Sequence, residues 1–370
     1  MFCSDVANRS ARLQDRKTES ALNRVIQLRE WGTDHIWELP SRRTQNWRIG
    51  ASNTCALRLT DPDVALCHAE LFHERRQWHL RDLEGTTGVR QDGELRQEFV
   101  LTPGTEIEIG ATILIAESEH YIALREFCAR LLGWGKDRMP AVDHALRAIR
   151  LAAARRSALV LRSEEDPVPL AHALHRRVLG DAAPFIVCDQ RRADLPASVR
   201  SPANQSSAMV ALQVAAGGSL CVRSRRLPHD FPEFLKVLHT HDHRVVQLIV
   251  CMDLDERSNL ITGPTPIDVP PLDLRATELP RIIQAYAEDT LATLQASSSS
   301  FSEEELAWVL RHRAESLSEI EKATLRVVAL RKAGNVNRAA ALLGIASVSL
   351  SRWLDRRMPP TGSMPLTGAP

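Results

Sequence analysis

The pattern of apolar and polar positions changes twice along the chain. Between residues 22 and 122, short apolar segments alternate with polar positions and are separated by turn residues, among them Asp61-Pro62-Asp63 and Pro103-Gly104. This pattern is typical of an antiparallel β-sandwich. The apolar segments that define it lie at 25–28, 36–39, 47–49, 69–72, 78–83, 99–101 and 107–109.

Helical spacing of apolar residues follows at 123–134 and 142–155. Strand-like runs then mix with helical stretches such as 168–179, which predicts an α/β layer around a parallel sheet. Further helices are predicted at 276–295, 302–313 and within 317–357. The expected multidomain order is a flexible lead (1–21), a β-sandwich (22–122), a linker helix (123–141), an α/β core (142–275), a truncated helical lid (276–315), a compact all-α unit (316–358) and a disordered tail (359–370).

Composition narrows the range of functions. The chain has 370 residues, 44% of them hydrophobic, and 47 Lys and Arg against 46 Asp and Glu, so a global basic excess is absent and nucleic-acid binding would need a local patch. Seven scattered cysteines without zinc-finger spacing favour reduced thiols and predict no metal site. Because the sequence has neither a secretory leader nor a run of about 18 apolar residues, we expect a cytoplasmic protein without a membrane span.

Four stretches in the sandwich region carry a family resemblance. They are W-R-I-G-A-S (47–52), L-R-L-T-D-P-D-V-A-L-C-H-A (57–69), W-H-L-R-D-L-E-G-T-T-G (78–88) and L-T-P-G-T-E-I-E-I-G (101–110). In this order and spacing they resemble a forkhead-associated (FHA) domain, a β-sandwich whose loops at one end bind a phosphothreonine peptide. The resemblance implies a protein partner at those loops.

The phosphate-binding positions of that family are changed in this chain. Where the family has an arginine, a serine and an asparagine, the sequence has Ala51, Ala65 and Thr87, which removes charge-assisted donors. We therefore predict a protein dock that does not read phosphate. The alternative is residual phosphopeptide capture with help from Arg48 or Arg90. The candidate loop residues are Gly50, Ser52, His68, Thr86 and Thr87.

The central region contains framework segments of a second family. They are S-A-L-V-L (157–161), V-P-L-A-H-A-L-H-R-R (168–177), A-P-F-I-V-C (183–188), G-G-S-L-C-V (217–222), V-P-P-L-D-L-R (269–275) and E-L-P-R-I-I (278–283). Together they resemble the AAA+ core of bacterial enhancer-binding regulators, which remodel polymerase carrying an alternative sigma factor. The resemblance implies a nucleotide site after the first of these strands.

The residues that such a site needs are missing. A phosphate-binding loop requires glycines, a lysine and a hydroxyl, whereas residues 162–167 read R-S-E-E-D-P. The strand ending at Val222 is followed by Arg223 and Ser224, where the family has an acidic pair that holds Mg²⁺. We predict a degenerate AAA+-like core that is not an enzyme and needs no cofactor.

The C-terminal unit carries the sequence E-K-A-T-L-R-V-V-A-L-R-K-A-G-N-V-N-R-A-A-A-L-L-G-I-A-S-V-S-L-S-R-W-L (321–354). It resembles the Fis-type helix-turn-helix that ends many enhancer-binding activators. Independently of that resemblance, Gly334 is expected to end one helix in a left-handed cap and Asn335 to cap the next. Leu342 and Leu343 are expected in the core, and Val348, Leu350 and Leu354 are expected to anchor the last helix.

The last helix is predicted to face a DNA major groove. Residues 322–357 hold eight Lys and Arg against one acidic residue, which supplies the local basic patch. The candidate DNA contacts are Asn335, Arg338, Ser347, Ser349, Ser351, Arg352 and Arg356. The resemblance further implies a homodimer on double-stranded DNA.

Two functions follow from these patterns. The first is a bacterial, sequence-specific DNA-binding transcriptional regulator without ATPase activity, whose FHA-like domain receives a signalling partner. The second is a non-catalytic scaffold or adaptor that uses the same architecture for protein contacts alone.

Overall fold

A computed structural model of the chain describes residues 23–40, 46–83, 87–155, 157–197, 201–240, 246–256, 265–296, 300–313 and 315–356. These residues form two compact units. The first unit comprises residues up to 129 together with 133–150, and the second comprises 130–132 together with the residues from 151 onward. The predicted lead, tail, most of the serine run at 297–300 and Thr86 lie outside the described residues.

The first unit is a β-sandwich built from two sheets. One sheet has the strand order β2-β1-β11-β10-β7-β8, and the other has the order β4-β3-β5-β6-β9. The strands are β1 (Val25–Glu30), β2 (Ile36–Glu38), β3 (Trp47–Gly50), β4 (Leu57–Arg58), β5 (Ala69–Glu74), β6 (Gln77–Asp82), β7 (Val89–Gln91), β8 (Glu94–Leu95), β9 (Glu98–Val100), β10 (Glu106–Ile109) and β11 (Thr112–Ser118).

The sandwich core comes from the inward-facing residues of both sheets. Alternate positions of each strand point inward, so the apolar alternation of the sequence becomes one buried cluster. Its fully buried members include Leu28, Ile49, Leu71, Leu80 and Ile107.

Two helices extend the first unit beyond the last strand. Helix α1 (Glu119–Leu132) is capped by the Ser118 hydroxyl, and α2 (Met139–Arg155) follows a short 3₁₀ turn. Asp143 of α2 accepts hydrogen bonds from the buried Arg29 of β1, and its carboxylate also accepts from the Gly32 backbone at 2.7 Å. The Arg29 Nε also donates to Glu117 at 2.8 Å.

These buried ion pairs place the boundary between the sandwich and the α/β core later in the chain than the sequence predicts. Residues 142–150 were expected at the start of the α/β core, but the structure places them with the sandwich. The physical reason is that residues of this segment form ion pairs with the sandwich: Asp143 pairs with the buried Arg29, and Arg147 and Arg150 pair with Glu106 of β10.

The second unit begins with a parallel sheet whose strand order is β14-β13-β15-β16-β12-β17. Its strands are β12 (Leu159–Ser163), β13 (Phe185–Cys188), β14 (Ala203–Gln205), β15 (Ser219–Arg223), β16 (Gln247–Asp253) and β17 (Ile267–Asp268). Helices α3 (Val168–Leu179), α4 (Ala208–Val214) and α5 (Phe231–Thr240) occupy the connections. Because parallel strands require crossovers, this alternation of strands and helices builds the sheet that the sequence predicts.

The remaining helices are α6 (Leu279–Thr293), α7 (Glu303–Arg313), α8 (Leu317–Ala333), α9 (Val336–Leu342) and α10 (Ser347–Asp355). The predicted order of a β-rich unit, an α/β region and an all-α region is therefore confirmed at this level. The positions of the short strands β4, β7, β8, β14 and β17 and of the longer strand β11 were not predicted.

Candidate functional site

Helices α8, α9 and α10 form a compact three-helix unit whose turns are fixed by local sequence. Gly334 ends α8 in the left-handed region with a φ of 71°, and its amide donates to the Leu330 carbonyl. The Asn335 side chain then accepts a hydrogen bond from the Arg338 amide at 2.8 Å and so caps α9. Asn335 therefore acts as a helix cap, and its side-chain oxygen is engaged within the protein.

The inner side of α10 is held by aromatic packing. Leu350 and Trp353 are buried, and the Trp353 ring meets the Trp308 ring of α7 edge-on with centroids 5.4 Å apart. The Arg326 guanidinium of α8 lies over the Trp353 ring at 4.9 Å from its centroid, a cation–π contact. These contacts fix which face of α10 is left for a ligand.

The outer side of α10 is polar and basic. Ser349, Arg352 and Arg356 are exposed on it, whereas Ser347 and Ser351 are half-buried. Arg338 is exposed on the neighbouring helix α9. An open groove borders this side, and its lining residues are Glu315, Glu319, Arg326, Ser349, Arg352, Trp353 and Arg356. We call the exposed side chains of Ser349, Arg352 and Arg356 the α10 surface.

Two apolar positions near this surface differ from expectation. Leu342 was expected in the core and Val348 as an anchor, but they are 42% and 58% exposed. The partner of α10 is the Trp308 side of α7, so Leu350 and Trp353 face inward while Val348 faces outward. Helical spacing defines a face, but the tertiary partner decides which face is buried.

The basic residues of the unit divide into two groups. Arg331 donates to Glu305 at 2.7 Å and to the Ser300 carbonyl at 3.0 Å, and Lys332 donates to the Leu294 carbonyl. These two cations therefore fasten α8 to the preceding helices. Among the described residues, no ion pair engages the side chains of a second group, which consists of Arg338, Arg352 and Arg356.

The loop after β12 lies at the carboxyl edge of the parallel sheet, where α/β proteins commonly bind ligands. Here the loop makes ion pairs within the protein. Arg223, at the end of β15, donates to Asp166 at 2.7 Å and lies 3.5 Å from the buried Asp189. Burial tends to raise the pKa of Asp166, but hydrogen bonding and charge from Arg223 outweigh it and hold that pKa below its usual value.

Glu165 of the same loop contacts the C-terminal unit. Its carboxylate faces the N-terminus of α8. Burial raises the pKa of Glu165, although the Leu317 and Ser318 amides and the Ser316 hydroxyl each lower it. A carboxylate of the protein thus occupies a helix N-terminus, the kind of position where anions are stabilised.

The loops at one end of the sandwich have their polar groups satisfied internally. The Ala51 and Ser52 amides donate to the Ala65 and Leu66 carbonyls at 3.0 and 3.1 Å. The Ser52 hydroxyl lies 2.8 Å from that of Thr54. A Cβ added at Gly50 would lie 2.4 Å from the Leu66 carbonyl oxygen, so this position requires glycine.

His68 joins two segments of this loop end. It is fully buried, its Nδ1 accepts from the Ala65 amide at 3.2 Å, and its Nε2 lies 3.2 Å from the Gly88 carbonyl. With Nδ1 accepting, the proton belongs on Nε2, which then donates to Gly88. Thr87, beside Gly88, is exposed. His68 thus supports the loops and does not project from them.

Comparisons with known proteins bear on this first unit. Residues 37–120 match the family model described as the inner membrane component of the T3SS, cytoplasmic domain. A solved domain from a study of phosphothreonine-dependent FHA domain interactions is 25% identical, covers 25% of this chain and 93% of its own, and has a TM-score of 0.23. For this similarity we call the N-terminal unit FHA-like.

Two further structures are similar to the FHA-like unit. The FHA domain of the CT664 protein from Chlamydia trachomatis is 16% identical, with 25% of this chain and 95% of that chain covered and a TM-score of 0.23. Mycobacterium tuberculosis EmbR, in complex with a low affinity phosphopeptide, is 16% identical, with 32% of each chain covered and a TM-score of 0.25. No curated protein matches the chain.

Two other kinds of feature are absent from the part of the chain that the structure describes. None of the helices in the described ranges is both long and apolar enough to cross a membrane. Likewise, the described side chains contain no group of three His, Cys, Asp or Glu residues placed to hold a metal ion.

Proposed function

We propose that this protein is a sequence-specific DNA-binding transcriptional regulator that works without hydrolysing ATP. In this proposal α10 enters the major groove, the α/β region is a degenerate AAA+-like core that supports it, and the FHA-like unit receives a protein partner. The resemblance of the C-terminal sequence to Fis-type units further predicts a homodimer that reads two half-sites about one helical turn apart.

The observation that carries the proposal is the division of α10 into two sides. Leu350 and Trp353 are buried against the helices beneath, while Ser349, Arg352 and Arg356 face outward from consecutive turns. Arginine and serine on one exposed helix face suit contacts to base edges and phosphates. Arg338, exposed on α9, adds a cation suited to a flanking phosphate.

The absence of ATPase activity is proposed from the loop after β12. Three carboxylates stand there in sequence, and they would repel a triphosphate. Asp166 is paired with Arg223, and Glu165 lies at the N-terminus of α8. These two carboxylates are therefore engaged within the protein, and residues 162–167 contain neither a glycine nor a lysine for a phosphate.

A gel-shift series tests the DNA proposal. The double substitution Arg352→Ala with Arg356→Ala should abolish sequence-specific binding by the full chain and lower the slope of affinity against salt by about two. The matched control is Arg75→Ala with Arg76→Ala, which removes two exposed arginines from the β5–β6 turn of the FHA-like unit. Equal losses in both variants would show that only overall charge matters, and would contradict the proposal.

The scaffold function remains the second candidate because of the FHA-like loops. Leu66 and Leu95 are 72% and 62% exposed, and Leu95 lies over Gly88, the residue that His68 joins to the Leu66 loop. Apolar side chains at a loop end whose polar groups are satisfied internally favour a protein partner that need not carry phosphate. Titration with matched phosphorylated and unphosphorylated peptides distinguishes the two binding modes: equal affinities support a non-reading dock, and phosphate-dependent affinity contradicts it.

A further inference from the structure

Two cysteines from separate loops meet at the loop end of the FHA-like unit. Cys55 lies in the loop between β3 and β4, and Cys67 lies just before β5. The Cys55 thiol donates to the Leu66 carbonyl at 3.2 Å, which is the carbonyl bonded to the Cys67 nitrogen. The Cys55 sulfur therefore lies against the peptide group that joins Leu66 to Cys67. Both thiols are free.

We propose that Cys55 and Cys67 are a modification site at which a hydroperoxide forms an intramolecular disulfide. The disulfide would link two loops covalently. Their backbones are already joined by the hydrogen bond from the Ser52 amide to the Leu66 carbonyl. Since Ala51 and Ala65 lie in these same loops, the disulfide would fasten the partner-binding end of the FHA-like unit in one arrangement. This inference does not depend on DNA binding by the C-terminal unit.

The two thiols have different surroundings, which assigns their roles. Cys67 is half-buried and reachable from solvent, whereas Cys55 is 8% exposed. Burial, together with the neighbouring Cys67, raises the pKa of the Cys55 thiol. Cys67 is therefore the thiol that meets the oxidant, and Cys55 is the thiol that completes the bond.

The reaction balances in two steps. The Cys67 thiolate attacks one oxygen of hydrogen peroxide, the O–O bond breaks, and the released hydroxide takes a proton to become water, leaving a sulfenic acid on Cys67. Cys55 then loses its proton and its sulfur attacks the Cys67 sulfur, so the S–O bond breaks and a second water leaves. Two thiols are oxidised by two electrons in total, and the peroxide is reduced to two waters.

A second thiol pair supplies an internal comparison. The Cys221 and Cys251 sulfurs lie 3.5 Å apart on the neighbouring strands β15 and β16, and both residues are buried in the sheet. Both pairs therefore lie on chain segments that touch each other, and access of one thiol to solvent is what differs. If access governs oxidation, Cys55 and Cys67 react first.

The test uses the full reduced chain and brief pulses of hydrogen peroxide, followed by N-ethylmaleimide, unfolding and trypsin. Because trypsin cleaves after Arg58, the disulfide would link peptide 49–58 to peptide 59–75. We expect this disulfide to form about ten times faster, or more, than any disulfide between Cys221 and Cys251. The oxidised protein should migrate as a monomer on a non-reducing gel. Dithiothreitol should remove the disulfide.

The Cys67→Ser variant supplies a second measurement. The time course of the unchanged chain tests the proposal even if this variant does not fold. The variant should lose the link and leave the alkylation of Cys221 and Cys251 unchanged. The proposal is overturned if Cys67 is oxidised singly without a link, if the link joins two chains, or if both pairs react at the same rate only once the protein unfolds.

Discussion

Gly50 shows how closely two loops of the FHA-like unit approach each other. A Cβ at this position would lie 2.4 Å from the Leu66 carbonyl oxygen and 2.8 Å from that of Ala65, and both neighbours are backbone atoms. The neighbouring amides of Ala51 and Ser52 hydrogen-bond to these same carbonyls, so the loop cannot withdraw without losing both bonds. The glycine is thus required by contact between backbones.

Gly50→Ala should therefore destabilise the FHA-like unit, by about 2 kcal/mol or more. Hydrogen exchange of the β3 and β5 amides in the full chain measures the loss as faster exchange. The matched variant is Ser52→Ala, two residues on, which removes only a hydroxyl bonded to Thr54 and should change exchange little. Unchanged protection in Gly50→Ala would show that the loops separate more easily than the distances imply.

Residues whose role depends on adjacent backbone could be predicted from the sequence. Gly334 is the C-cap of α8 and Asn335 is the N-cap of α9, as the sequence predicts. Such caps can be predicted because they depend on only a few neighbouring residues. Val348 was expected to anchor the last helix and is exposed, because burial on that helix depends on the distant Trp308. Leu342 was expected in the core and is also exposed. The same limit hid the contact between Glu165 and α8, which joins residues far apart in sequence.

At the scale of elements, a loop of the α/β region places the Glu165 carboxylate at the N-terminus of α8. Glu165→Lys replaces this carboxylate, which faces the Leu317 and Ser318 amides, with a cation that the helix N-terminus disfavours. We expect a loss of about 1 kcal/mol or more, seen as faster hydrogen exchange at these two amides. Glu164→Lys is the matched control, because Glu164 is the exposed neighbour with the same charge. Equal exchange in the two variants would contradict the assigned contact.

Strands and helices differed in how well the sequence predicted them. Strands with strong apolar alternation, such as β1 and β6, were placed correctly, and α3 was predicted at its observed bounds. The two-residue strands β4, β8 and β17 are too short to show a period. Helix α2 shows a clear period, but its contacts with the strands, such as the pairs of Asp143 with Arg29 and of Arg150 with Glu106, assign its first part to the sandwich unit.

At the scale of the whole molecule, a net charge of +1 conceals the distribution of the charges. Many cations of the second unit form ion pairs within the protein. Arg225, for example, pairs with Asp253 at 2.5 Å, and Arg226 lies 3.7 Å from Asp189. Arg338, Arg352 and Arg356 are exposed and make no ion pair with the residues that the structure describes. The local basic excess read from the sequence is therefore real, but only part of it faces outward.

The ion pairs inside the second unit also predict how the protein responds to Mg-ATP. Since Asp166 and Arg223 neutralise each other where a triphosphate would have to lie, millimolar Mg-ATP should leave the melting temperature of the full chain unchanged and release no phosphate. A rise in melting temperature that depends on ATP concentration would contradict this prediction, since only binding to the folded state produces one.

The most direct test of the account is selection from a random double-stranded DNA library by the full chain at physiological salt. We predict enrichment of one motif, and loss of that enrichment in the Arg352→Ala, Arg356→Ala double variant but not in the Arg75→Ala, Arg76→Ala control. A library that remains unenriched after repeated rounds, or equal enrichment by the unchanged chain and the double variant, would contradict DNA recognition through the α10 surface.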